Sequence, residues 1–80
     1  MSFYDYMIQN YANGTGLKSD LANDMKYDES TFPRNPSEKF NIWHSIIEIY
    51  LNVQGACAEC MDIFEMCWKE YVAHEENNRS

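Results

Sequence analysis

Cys57, Cys60, Cys67 and His74 follow one another at intervals of three, seven and seven residues, and thiolates and imidazole are the usual donors to zinc. On one straight helix, residues 57 and 74 would lie about 25 Å apart at 1.5 Å per residue, so no single ion reaches all four. Cys57-Ala58-Glu59-Cys60 also has the C-x-x-C spacing of dithiol redox proteins. That chemistry needs the pair at a strand-to-helix turn, and no strand precedes it here. The expectation is three small buried hydrophobes, with no metal ligands, no cofactor and no catalytic residues. His44 has no nucleophile or acid that the sequence nominates as its partner, so it reads as a boundary histidine. His74 falls at a helix end, where positive charge suits the dipole.

Asp20, Asp24 and Asp28 are each four apart and therefore line one helix face, with neighbours about 6 Å apart. Phosphates along a nucleic-acid strand are spaced by a comparable distance, roughly 6 to 7 Å. The three carboxylates are the candidate partner-binding residues, set against the plainer reading of a solvated helix face, where like charges cost only a few tenths of a kcal/mol. Asn13-Gly14-Thr15-Gly16 lacks the spacing of a phosphate-binding loop and reads as an interhelical turn.

Charge limits the partner. Thirteen acidic against six basic side chains give a net −7. Nucleic-acid binding needs Lys and Arg to displace counterions, and here Lys18, Lys26, Arg34, Lys39, Lys69 and Arg79 are scattered. Anionic membrane surfaces are disfavoured for the same reason. The odd number of cysteines does not form a disulfide framework. No signal peptide and no membrane-spanning run is visible. The expected compartment is a reducing cytoplasm. At 80 residues the chain is one domain, and 45% hydrophobic residues supply a core.

Four short helices position these groups. Ser2 caps a first helix over residues 3–11, with Phe3, Met7 and Tyr11 inward. A second runs from Leu17 to Tyr27 with the stripe Leu17, Leu21 and Met25. Phe32 anchors the following loop. Asn35-Pro36 with Glu38, or Ser37 as competing cap, starts a third helix that ends near Leu51. Its apolar face is Phe40, Trp43, Ile46, Ile47, Tyr50 and Leu51, and the 3.6-residue period outweighs the β-branched run at Ile46, Ile47 and Ile49. Gly55 separates it from a fourth helix, about residues 56–74, with the stripe Cys57, Cys60, Phe64, Cys67, Trp68 and Tyr71. Residues 1–74 form the domain and 75–80 a polar, frayed tail. Trp68 and Phe64 are expected to pack against Phe3, Met7 and Trp43.

The ordered set Ser2-Phe3-Tyr4-x-Tyr6-Met7, Leu21-Ala22-x-Asp24, Phe32-Pro33 and Phe64-Glu65-x-x-Trp68-x-x-Tyr71-x-Ala73-His74 resembles the YozE-like family of small bacterial and phage proteins. The resemblance covers residues 2–74 and implies an all-α bundle of the sterile-alpha-motif type. It departs in a 33–40 loop one residue longer and in the cysteines. The family carries no catalytic residues over. The expected function is a non-enzymatic acidic module that binds a protein partner with a basic surface, in its narrowest form an inhibitor that imitates nucleic acid. The alternative is a helical domain that binds nucleic acid directly.

Overall fold

The computed structural model of the protein describes residues 1–34 and 39–78. The chain forms α1 (Phe3–Tyr11), α2 (Leu17–Tyr27), α3 (Phe40–Val53) and α4 (Ala58–Asn77), with no strand among the described residues. The proposed start of the third helix at Asn35, Pro36, Ser37 and Glu38 lies outside the described residues. Helix α3 begins at Phe40, after Lys39 in a left-handed conformation (φ 61°).

Ser2 caps α1, its Oγ accepting from the Asp5 backbone N–H at 3.1 Å, which satisfies one of the donors every helix start leaves open. Gly16 caps α2 at φ 103°, a conformation only glycine adopts freely. The end of α3 is a Schellman motif. The Ala56 N–H donates to the Leu51 carbonyl (3.0 Å) and the Gly55 N–H to that of Asn52 (3.1 Å), with Gly55 at φ 85°. A Cβ on Gly55 would meet open space, so the penalty for adding one is purely backbone. Gly55→Ala is expected to lower stability by about 1 to 2 kcal/mol, read as an earlier urea midpoint with an unchanged slope.

Helix α4 is the spine, packing against each of the other three helices. Phe64, Cys67, Trp68, Tyr71 and Glu75 form its buried stripe, at the i, i+3, i+4, i+7 spacing of one helix face. Phe3 enters this stripe from α1, with ring centroids 5.6 Å from Phe64, 5.0 Å from Trp68 and 5.6 Å from Tyr71. Met7, Leu21, Ala22, Met25, Ile47 and Leu51 complete the core. Phe32 is buried as expected, between Tyr4 (5.9 Å) and Tyr50 (5.1 Å).

Several expectations need correction. Leu17 is 52% exposed, because it occupies the first turn of α2, beyond the reach of the packed stripe. Tyr11 is half-buried, whereas Tyr4 and Tyr6 are buried, since α1 is flanked by α2 and α4 together. Ile46 is exposed and Phe40, Trp43 and Tyr50 are half-buried. Cys57 is exposed and stands as the N-cap of α4. The chain after residue 74 continues as helix to Asn77. Glu75 is buried there and pairs with the Met1 ammonium group.

Candidate functional site

Helix α2 and the α3–α4 turn enclose an open groove of about 440 Å³. Met25, Phe32, Tyr50 and Leu51 contribute apolar lining, and Asp24 and Asp28 contribute carboxylates. The local fold explains this arrangement. Asp28 ends α2, and its carbonyl accepts from the backbone N–H groups of Thr31 (2.9 Å) and Phe32 (2.8 Å). That tight turn carries Phe32 back under the helix, against Tyr50 of α3. Tyr27, 93% exposed, stands at the edge. A smaller hollow of about 210 Å³ adjoins it, lined by Asp20, Glu59 and Ile63 and sharing Leu21, Asp24, Cys57 and Cys60 with the first.

The three aspartates singled out in the sequence therefore border two adjoining concavities. Asp20 and Asp24 are exposed and Asp28 is half-buried, so the ladder has two open rungs and a third drawn toward the loop.

The cysteines divide by environment. Cys57 is exposed, Cys60 half-buried and Cys67 buried. Burial, then the neighbouring Cys57 and Asp24, raises the Cys60 thiol above its ordinary pKa. Burial, then the charge of Glu70, pushes Cys67 up to about 11. Both therefore remain thiols at neutral pH, which suppresses nucleophilic and metal-binding chemistry that requires the thiolate.

Beside Cys67, Glu70 accepts hydrogen bonds from the Tyr11 hydroxyl (2.6 Å) and the Lys18 ammonium group. Burial works to raise the Glu70 pKa, but these two hydrogen bonds and the Lys18 charge hold it below the usual carboxylate value. The hydrogen bond to Glu70, then burial, pushes Tyr11 up to about 12. This cluster ties α1 and α2 to α4.

His44 has the partner that the sequence could not supply. Its Nε2 lies 2.7 Å from Glu65 Oε1, joining α3 to α4. The ring is held by stacking on Phe64 (centroids 5.2 Å, 28° between planes) and by an edge contact with Trp68 (5.6 Å). Thus His44 is the α3 ring that meets the two core aromatics, at the level where Trp43 was expected. Glu48, one turn along α3, brings a second carboxylate to the same place.

Ile42, Ile46, Ile49 and Val53 form a single outward stripe of α3, at exposures of 57, 38, 61 and 76%. The stripe exists because α3 packs on α4 alone among the helices. It buries one side through Ile47 and Leu51. Among the described residues no helix is long and apolar enough to cross a membrane.

No curated protein and no solved structure matches the chain. A family model described as the YozE SAM-like fold matches residues 2–73. The four helices, with no strand among the described residues, agree with that description. The chain thus belongs to the YozE SAM-like fold family.

Proposed function

We propose that the domain is a non-enzymatic interaction module, and that its groove between α2 and the α3–α4 turn receives a basic segment of a protein partner. The observation that carries this reading is the combination of an apolar floor (Met25, Phe32, Leu51) with a carboxylate rim (Asp24, Asp28) in one concavity. An apolar side chain of the partner would fill the floor while flanking Lys or Arg residues meet the rim. The net charge of −7 steers such a partner toward the domain. The cytoplasm suits this reading, because its reducing potential keeps Cys57 and Cys60 as free thiols.

A narrower form of the reading is an inhibitor that imitates nucleic acid and occupies another protein's basic groove. Asp20 and Asp24 support it, as exposed carboxylates one helical turn apart. Direct binding of nucleic acid is the weaker alternative, since six scattered cations neutralise few phosphates.

A pair of synthetic peptides tests the groove, one with Lys and Arg flanking a single Leu, the other with Glu in their place. The basic peptide should perturb the NMR resonances of Asp24, Asp28, Tyr27 and Tyr50, with affinity falling as salt rises. The acidic peptide should perturb none. Equal response to both, or shifts confined to other faces, would overturn the assignment.

A further inference from the structure

We propose that His44, Glu48 and Glu65 form a binding site for a divalent transition-metal ion of the zinc class. Among the described residues these three side chains converge, with one ligand atom from each lying within 4.8 Å of the others. His44 and Glu48 are four apart on α3 and so share a face, and Glu65 approaches from α4. Both helices are packed elements, so the donors stand on rigid supports. The imidazole is further clamped by Phe64 and Trp68. His44 is about one-quarter exposed and Glu65 under one-half, which leaves an entry path from solvent.

The donor set selects the ion. One imidazole nitrogen and two carboxylates supply no thiolate, which suits Zn²⁺ or Mn²⁺. The imidazole weighs against Mg²⁺ and Ca²⁺, which prefer all-oxygen shells. Two carboxylates also balance the dication's charge. Bonds of about 2.0 to 2.2 Å in a tetrahedral arrangement place ligand atoms roughly 3.3 Å apart. The 2.7 Å contact between His44 Nε2 and Glu65 Oε1 therefore needs to open by only about half an ångström for an ion to replace the hydrogen bond. Three protein donors leave a fourth position for water or for a donor from a partner, the pattern of an open zinc site. The inference is independent of the groove reading, since none of the three residues lines that groove.

Zinc titration by calorimetry tests the site in the full chain carrying Cys57→Ser and Cys60→Ser, so that the exposed Cys57 and the half-buried Cys60 do not capture the ion. One equivalent of Zn²⁺ should bind, Mn²⁺ should compete, and Mg²⁺ at the same concentration should not. Glu65→Gln changes a partly exposed side chain and should weaken binding at least tenfold. His44→Phe keeps a ring against Phe64 and should do the same. Zn²⁺ should also shift the His44 ring resonances and raise the melting temperature of the parent, with no such rise in either variant. No binding below millimolar zinc, or one equivalent bound equally well by Glu65→Gln and His44→Phe, would overturn the proposal. So would zinc binding seen only when Cys57 and Cys60 are intact.

Discussion

Trp68→Ala is expected to destabilise the domain by about 3 to 5 kcal/mol, because a large buried aromatic is lost and its cavity cannot fully collapse. Trp68 touches Phe3 (5.0 Å), Phe64 (5.9 Å) and Tyr71 (5.2 Å), and His44 lies against its edge. The one substitution therefore loosens α1, α3 and α4 together. An 80-residue domain has a total stability of roughly 4 to 12 kcal/mol at the usual per-residue value. The variant should consequently melt more than about 10 °C below the parent, or fail to fold. Phe64→Ala, removing a fully buried ring that stacks on His44, should behave similarly. Ile49→Ala is the control. It is 61% exposed, and its loss should change stability by no more than about 0.5 kcal/mol. A Trp68→Ala protein melting with the parent, or an Ile49→Ala protein melting with Trp68→Ala, would contradict the packing described.

The helices were largely legible because their signals are local. Ser2 before an apolar 3.6-residue pattern, and Gly16 and Gly55 at breaks, marked ends that the structure places at the same residues or within about two. Periodicity identifies an apolar face but does not say how much of it a neighbour covers. That explains why Leu17 and Ile46, read as inward, lie exposed, and why Tyr11 takes only a half-buried place beside the buried Tyr4 and Tyr6. Five of the residues on α3 are Ile or Val, more than its single neighbouring helix can cover, so the surplus faces outward. The His44–Glu65 contact spans 21 residues and depends on the register of α3 against α4, which no local spacing encodes. A histidine four residues before a glutamate was visible in the sequence as one half of that site. Asp20, Asp24 and Asp28 could be placed on one face by counting, but the groove beside them depends on how Phe32 returns across α2.

Reversing that rim should have the largest effect on binding. Asp20→Lys, Asp24→Lys and Asp28→Lys together change the charge by two units each, taking the net value from −7 to −1. Asp20 and Asp24 are exposed, so their replacement leaves the core untouched. Asp28 contributes to the turn through its backbone, and lysine retains that backbone. Circular dichroism should therefore show an intact helical fold. Binding of the basic peptide should fall at least tenfold, since the two rim carboxylates and the neighbouring Asp20 become repulsive and like-charge placement opposes docking. Most of the loss should appear at low salt, because steering acts over a Debye length of about 8 to 10 Å at physiological ionic strength. The parent protein should bind neither duplex DNA nor single-stranded RNA more tightly than roughly tens of micromolar, toward the weak end of ordinary non-specific binding at the same salt. A gel-shift titration measures this directly. Sub-micromolar binding by the parent would replace the protein-partner reading with the nucleic-acid one. Undiminished peptide binding by the triple variant would instead remove the acidic rim from the interface while leaving the domain's interaction role to another face.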